Sequence, residues 1–283
     1  MIRLLAVDID GTLLDSRGRL PAAHHEALAA VVGRGIAVAL VTGRSFHFTR
    51  PVIERLHLPL TVIVNNGAVV KERGGTTVMR HALPGEVARA VLQHTRAFED
   101  SVAIVFDRPD VDDERQIVYE RMDWTHPHRR GYYEKNKAFI ASAPSSLADA
   151  LAGEDPIQVM FNGGVEAMRA LVGDLRTAPM ADRYAVAITE YELRDFSLVD
   201  VNAAGCSKGT TLARWADAHG FAREEVMAVG DNLNDLEMLD FAGTAVVMGN
   251  AADAVKRARS FHITGTNDDG GLSDAIRRFV LDE

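Results

Sequence analysis

The sequence contains a single cysteine, Cys206, among 283 residues. One cysteine cannot form a disulfide within the chain, so a disulfide-stapled secreted scaffold is excluded and a reducing cytoplasm is favoured. No apolar run approaches the roughly 20 residues that a membrane-spanning helix needs. The apolar stretch before Asp8 is too short for a secretory signal. We therefore expect a cytoplasmic location and no membrane partner.

An excess of positive charge is also missing. The 31 Lys and Arg residues face 40 Asp and Glu residues, which gives a formal net charge of −9. Nucleic-acid binding needs concentrated positive charge, so we expect no nucleic-acid partner. The hydrophobic fraction of 47% is ordinary for a globular protein and excludes a disordered chain, while the length suggests one large domain or two. Composition thus favours a globular protein that acts on small molecules, and it leaves the oligomeric state open.

Both ends of the chain alternate short aliphatic runs with helical patterns. Such runs predict strands that are buried on both faces, as in a parallel sheet, and strand–helix alternation implies right-handed crossovers. The predicted strands cover 2–9, 36–41, 61–64, 226–229 and 244–248, and the predicted helices cover 21–34, 236–241 and a segment that begins at Lys208. The two ends therefore predict halves of one doubly wound α/β sheet.

The middle of the chain has a different pattern, in which helices and alternating strands mix as in an α+β domain. The predicted strands lie near 101–106, 116–119, 157–161 and 184–188, with one helix over 86–98 and another between the last two strands. This pattern indicates an insertion. The predicted organisation is a core formed by residues 1–83 and 197–283, with an inserted α+β lid over 84–196.

The most informative motif is DIDGT, over residues 8–12, where the first predicted strand ends. Asp8 and Asp10 are two residues apart in extended chain, so their carboxylates project to the same side. Ligands of open α/β sheets bind beyond the carboxyl ends of the strands. Two adjacent carboxylates favour a divalent cation, and Mg²⁺ suits oxygen ligands, while Gly11 allows a sharp turn. The alternative is that the two aspartates only cap a turn and the next helix.

Two weaker motifs offer groups that could hold an anion. Thr42-Gly43-Arg44 follows the second predicted strand, where a hydroxyl and backbone N–H groups can bind one anionic oxygen, and helix capping is the alternative. Lys208 lies in a first helical turn, against the preference of the helix dipole. An anionic ligand shared with the helix N-terminus would explain this lysine, and an exposed lysine without a role is the alternative.

The motif GDNLND, over residues 230–235, follows the strand predicted at 226–229. It places Asp231 where a third carboxylate can complete the metal site that the DIDGT motif opens. The amide of Asn234 can hold a phosphoryl oxygen or a carboxylate in position. This motif therefore strengthens the metal-site interpretation of the first one.

Together and in this order, the four motifs resemble those of the haloacid dehalogenase-like (HAD) hydrolase superfamily, most closely its Cof-type sugar-phosphatase branch. NNGA over 65–68 and GTNDDGG over 265–271 resemble further loops of that branch. The resemblance covers the whole chain. It implies a Rossmann-like HAD core with an inserted cap, and Mg²⁺-dependent hydrolysis of a small phosphate ester such as a sugar phosphate.

The resemblance also implies a role for each motif residue. Asp8 is expected to be the nucleophile that forms an aspartyl-phosphate. Asp10 is expected to protonate the leaving oxygen and then to deprotonate the attacking water. The remaining expected roles are phosphoryl binding by Thr42, Gly43, Lys208 and Asn234, Mg²⁺ binding by Asp8, the backbone carbonyl of Asp10 and Asp231, and orientation of Lys208 by Asp235.

Two other functions stay open at this point. A phosphomutase would carry the same motifs, but it would interconvert isomers and release little free phosphate. A non-catalytic sensor of a phosphorylated metabolite would tend to lose the nucleophile or the acid, and this chain keeps Asp8 and Asp10. The sequence therefore favours a phosphatase over both.

Overall fold

The computed structural model describes residues 1–108, 116–143 and 145–282 of the chain. The backbone forms two compact units. The first combines residues 1–76 with residues 207–283, and the second is the continuous segment 77–206, within which the predicted insert falls. Among the described residues, none of the helices is both long and apolar enough to cross a membrane.

The first unit alternates strands and helices along both of its segments. Its elements in the earlier segment are β1 (Leu4–Val7), α1 (Ala22–Gly33), β2 (Ala37–Val41), α2 (Phe46–Leu56), β3 (Thr61–Val64) and β4 (Val69–Glu72). Those in the later segment are α7 (Lys208–Ala218), β12 (Val226–Gly230), α8 (Leu236–Phe241), β13 (Thr244–Val247), α9 (Asp253–Lys256), β14 (His262–Ile263) and α10 (Gly271–Ile276). Labels run in chain order through both units.

The strands of the first unit lie in the order β14-β13-β12-β1-β2-β3-β4. The pairs from β14 to β3 are parallel, and β4 runs antiparallel to β3. All side chains of β1 and β12 are buried, because a parallel sheet is covered by helices on both faces. The carboxyl ends of β1, β2 and β12 therefore open at one edge of the sheet, where ligands of such folds bind.

The second unit combines one sheet with helices. Its elements are β5 (Thr77–Arg80), α3 (Gly85–His94), β6 (Val102–Val105), β7 (Ile117–Tyr119), α4 (Pro127–Asn136), β8 (Ile140–Ser142), α5 (Leu147–Ala150), β9 (Gln158–Gly163), α6 (Val165–Thr177), β10 (Tyr184–Tyr191) and β11 (Phe196–Ala203). The sheet has the order β10-β11-β9-β6-β7-β8, and its pairs are antiparallel except for β7 with β8. Apolar side chains of α3 and α6 pack against this sheet to form its core.

These observations confirm the predicted fold class, a doubly wound α/β core with an inserted α+β domain. The sequence did not indicate β4, which turns back along β3 and ends the parallel series. The reversal occurs at Asn65–Gly67, a tight turn between the two strands. Each of these three residues has a positive φ, a conformation that Asn and Gly tolerate better than other residues.

Candidate active site

Asp8 is the first residue after β1, and it is 4% exposed. Its backbone N–H donates to the carbonyl of Val229 at 3.0 Å, and its own carbonyl accepts from Leu13 at 3.2 Å. These bonds fix the backbone of Asp8 at the end of the central strand. Burial raises the pKa of Asp8 to about 7, because the nearby negative charges of Asp235 and Asp10 add to it and the attraction of Lys208 only partly offsets it.

Lys208 begins α7 and is buried, with its ammonium between two carboxylates. Nζ donates to Oδ1 of Asp8 at 2.7 Å and to Oδ1 of Asp235 at 2.6 Å. Burial alone would lower the pKa of this lysine, but Asp235 and Asp8 outweigh it and raise the pKa above its ordinary value. The two carboxylates thus explain a cation in a first helical turn.

Asp235 is fully buried, and both of its oxygens are engaged. While Oδ1 accepts from Lys208, Oδ2 accepts from the backbone N–H groups of Asp231 and Asn232, each at 2.9 Å. The side chain therefore ties the lysine to the turn that follows β12. The resemblance implied that Asp235 orients Lys208, and the structure places these two side chains in contact.

Asp231 follows β12 and faces the turn of the DIDGT motif. Its Oδ1 accepts from the hydroxyl of Thr12 at 2.9 Å. Gly11 has a φ of +84°, and a Cβ built on it would lie 2.2 Å from Oδ2 of Asp231. A glycine is required here because a side chain would occupy the place of this carboxylate.

Asp8, Asp231 and Asp235 each have one carboxylate oxygen in a group whose members lie within 4.8 Å of one another. Burial raises the pKa of Asp231 well above its ordinary value, and the negative charges of Asp8 and Asp235 raise it further. Three carboxylates thus share one ammonium group, which leaves an excess of buried negative charge. A divalent cation would relieve this excess, and oxygen donors suit Mg²⁺. Because both oxygens of Asp235 are already engaged, Asp8 and Asp231 are the side chains that fit such an ion.

The carboxylate of Asp10 is bound by Arg44. Nε of Arg44 donates to Oδ2 at 2.6 Å, and Nη2 donates to Oδ1 at 2.5 Å. The guanidinium also lies 4.3 Å from the ring centroid of Phe48. The sequence placed Arg44 in its motif but gave it no role. A bidentate guanidinium of this kind fixes the plane of a carboxylate as well as its position.

The other predicted phosphate-binding groups form a second cluster. Asn234 donates from Nδ2 to Oδ1 of Asn66 at 2.8 Å, and a Cβ built on Gly43 would lie 3.1 Å from that same oxygen. Thr42 is 1% exposed, and its hydroxyl accepts from the backbone N–H of Arg44 at 3.2 Å. Gly43 therefore leaves room for the two amides. Asn66 is a residue of this cluster to which the sequence analysis assigned no role.

Fold and site together define an α/β enzyme with an acidic centre at the carboxyl edge of its sheet. The chain matches the haloacid dehalogenase-like hydrolase family over residues 5–276, and it belongs to that family.

Individual relatives cover nearly the whole chain. Pyridoxal phosphate phosphatase YbhA of Escherichia coli is 31% identical over 98% of this chain and 97% of its own length. The 5-amino-6-(5-phospho-D-ribitylamino)uracil phosphatase YcsE of Bacillus subtilis is 28% identical over 99% of this chain and 96% of its own length. A solved phosphatase of the HAD superfamily from Bacteroides thetaiotaomicron is 27% identical, with a TM-score of 0.78 over 99% of this chain and 95% of that chain. These matches confirm the predicted family and the predicted enzyme class, a phosphatase.

Proposed function

We propose that this protein is a Mg²⁺-dependent phosphatase that hydrolyses a small phosphorylated metabolite through an aspartyl-phosphate on Asp8. The observation that carries the proposal is the buried ammonium of Lys208, 2.7 Å from Asp8 and 2.6 Å from Asp235, beside the carboxylate of Asp231. Phosphoryl transfer needs a positioned nucleophile and positive charge near the equatorial oxygens. This cluster offers both.

In the proposed reaction, a carboxylate oxygen of Asp8 attacks phosphorus and the bond from phosphorus to the ester oxygen breaks. Asp10 gives its proton to that leaving oxygen, so the alcohol departs neutral. Water then attacks the phosphorus of the aspartyl-phosphate and returns a proton to Asp10, and Asp8 leaves as a carboxylate. The net products are one alcohol and one inorganic phosphate.

The remaining residues position and neutralise the phosphoryl group. Lys208, the hydroxyl of Thr42, the backbone of Gly43 and an N–H of Asn234 would contact its oxygens. Mg²⁺, held by Asp8, Asp231 and the backbone carbonyl of Asp10, would neutralise negative charge between the nucleophile and the substrate. Arg44 binds both oxygens of the Asp10 carboxylate and orients it, and in the proposed reaction one of these two bonds opens when that oxygen carries the proton for the leaving group.

For the substrate, we propose a phosphate ester of a small metabolite. The relatives are named for pyridoxal phosphate and for a phosphoribitylamino-uracil, and a sugar phosphate, as expected from the resemblance, belongs to the same size class. The role of residues 84–196 as a lid that selects the leaving group stays a prediction, as do a cytoplasmic location and the lack of nucleic-acid binding.

The proposal is tested by measuring phosphate release from a panel of these esters, with Mg²⁺ and after its removal by a chelator. We expect activity that needs Mg²⁺ and that falls by about 10⁴-fold or more in Asp8→Asn. Asp253→Asn, which changes a carboxylate with a side chain 72% exposed in the same unit, is the matched control. Undiminished release by Asp8→Asn would contradict the nucleophile assignment, and isomerised ester with little free phosphate would indicate a mutase.

A further inference from the structure

The turn Asn65–Gly67 follows β3 and carries three consecutive residues with left-handed backbone, with φ values of 51°, 54° and 98°. Two of them are asparagines, and both are buried. A left-handed conformation is costly for a residue with a side chain. The turn comprises most of the NNGA motif, and the proposed reaction gives none of its residues a role.

The turn holds the loop that carries Thr42. The backbone N–H of Asn66 donates to the carbonyl of Thr42 at 3.1 Å, and the N–H of Asn65 donates to the carbonyl of Arg44 at 2.9 Å. These two bonds bracket Gly43 and fix the backbone on both sides of it. The position of the Thr42 hydroxyl therefore depends on the conformation of this turn.

The same turn packs against the start of α7, the helix that presents Lys208. A Cβ built on Gly67 would lie 2.3 Å from the carbonyl oxygen of Ser207, so the backbones are in direct contact. The hydroxyl of Thr211 donates to the carbonyl of Gly67 at 2.9 Å. The turn thus also sets the position of the helix end from which the lysine extends.

The third contact of the turn is with Asn234. Its amide has two N–H groups, and one of them donates to Oδ1 of Asn66 at 2.8 Å. This bond fixes the plane of the amide and leaves the second N–H for an acceptor. In the described part of the chain, Oδ1 of Asn234 is buried and has no hydrogen-bond partner. Asn66 therefore determines which way Asn234 presents its donor.

We infer that Asn66 is a positioning residue for phosphoryl transfer, which aligns Asn234 with the Thr42 loop and with the start of the Lys208 helix. The inference rests on the proposed function and deepens it. Asn66 acts through Asn234, so it need not touch the substrate. The backbone of Asn66 contacts the Thr42 loop, its side chain contacts Asn234, and the neighbouring Gly67 contacts the start of α7.

Asn66→Gly tests this role without disturbing the backbone, because glycine adopts the left-handed conformation freely. The variant removes the side-chain amide whose Oδ1 accepts from Asn234. We expect kcat to fall about tenfold while KM stays within about twofold, since a misdirected donor chiefly weakens contacts in the transition state. The Tm should change by less than about 5 °C, because relief of the left-handed side chain offsets part of the lost hydrogen bond to Asn234.

A double-variant cycle separates positioning from a general structural effect. In the Asn234→Ala background, Asn66→Gly should lower kcat by less than about twofold, because the residue it positions is gone. A structural role would cost about the same factor in both backgrounds. His57→Gly is the matched control for the backbone, since His57 is exposed and has a φ of 51°, and it should leave kcat unchanged.

The outcomes distinguish this inference from the proposed function. A wild-type protein that hydrolyses phosphate esters while Asn66→Gly keeps full kcat, or loses it equally with and without Asn234, overturns the positioning role alone. A wild-type protein that releases no phosphate from the panel, or releases as much after Asp8→Asn, overturns the proposed function, and the positioning role falls with it.

Discussion

Each unit contains a cation between two carboxylates, and the two trios differ mainly in burial. In the first unit Lys208 contacts Asp8 and Asp235, and the side chains of these three residues are 1%, 6% and 0% exposed. In the insert Arg169 contacts Glu190 at 2.7 Å and Glu192 at 2.6 Å, and the side chains of Arg169 and Glu192 are 55% and 61% exposed, while that of Glu190 is 9% exposed.

The difference lies in the solvent around equal charges. Water screens the exposed trio, so its attraction is offset by the side-chain entropy lost in forming it. The buried trio lacks that screening, and losing one member leaves the others without compensation. The same arrangement of charges therefore contributes more to stability and activity when it is buried. Four variants or sets of variants compare buried and exposed groups, in order of decreasing expected effect.

The largest effect is expected for Lys208→Met, which keeps much of the volume and removes the charge. We expect kcat/KM to fall about 10³-fold, because a charge aimed at the phosphoryl oxygens is lost. The free energy of unfolding should fall by about 3 kcal/mol, since buried carboxylates lose their cation. Steady-state kinetics and urea unfolding measure the two changes. If Lys208→Met is as stable and as active as the wild type, the buried trio contributes no more than the exposed one.

A second pair compares two arginines in similar surroundings. Arg44 contacts Asp10 and lies 4.3 Å from the ring of Phe48, while in the insert Arg108 contacts Glu154 and lies 4.2 Å from the ring of Phe106. Each pair combines a largely buried guanidinium with a carboxylate about one-third exposed, so local stability should change similarly.

We expect Arg44→Ala to lower kcat about 100-fold, because Asp10 loses the group that orients it, and Arg108→Ala to leave kcat unchanged. Both variants should lose about 1 kcal/mol of unfolding free energy. Arg44→Lys, which keeps the charge without the two parallel donors, should recover less than half of the lost activation free energy. Equal kinetic effects of Arg44→Ala and Arg108→Ala would show that Arg44 does not orient Asp10 for the reaction.

The two units should also differ in the pH range over which a buried titratable side chain lowers their stability. Burial lowers the pKa of His24 in α1, against the influence of the Leu13 carbonyl and of Asp274 and Asp15. Below about pH 6.5 the unfolded chain then binds a proton that the folded chain does not, so stability falls as pH falls. Burial raises the pKa of Tyr184 in the insert, so above about pH 10 the unfolded chain loses a proton first and stability falls as pH rises.

We therefore expect His24→Gln to flatten the loss of Tm between pH 7 and 5, and Tyr184→Phe to flatten it between pH 9 and 11. Thermal unfolding over this range measures both slopes. His25→Gln controls for the loss of an imidazole from the same helix. If Tm falls as steeply between pH 7 and 5 in His24→Gln as in the wild type, groups other than His24 cause the loss of stability in acid.

The smallest effect is expected for Arg169→Ala in the exposed trio. The free energy of unfolding should fall by about 0.5 kcal/mol, a loss that 0.5 M salt largely removes because surface attraction is screened. Urea unfolding at low and high salt measures it. A loss above about 2 kcal/mol that persists in salt would make the exposed trio equivalent to the buried one.

The sequence was sufficient to predict that residues far apart in the chain would meet. The strand pattern was sufficient to place Asp8, Asp10 and Asp231 at one edge, because carboxyl ends of parallel strands share one edge of a sheet. The pairing of Lys208 with Asp235 was implied by the family resemblance. The pair of hydrogen bonds from Arg44 to Asp10 was not predictable in this way. It depends on the rotamer of a long side chain that lies beyond the end of the strand. The sequence did not predict the left-handed turn at Asn66 for a related reason. Two consecutive asparagines permit such a turn but do not require it.

The order in which the central strand meets its neighbours has a consequence for biosynthesis. In the sheet Leu4 of β1 is aligned with Val226 of β12, 222 residues further along the chain. At about 5–20 residues per second, the ribosome delivers that partner roughly 10–45 s after β1. Meanwhile β1 can pair with β2 on one side only, and its other edge exposes unsatisfied N–H and C=O groups. Nascent chains that stall within the insert should therefore be vulnerable to aggregation through the very strand that ends at the nucleophile.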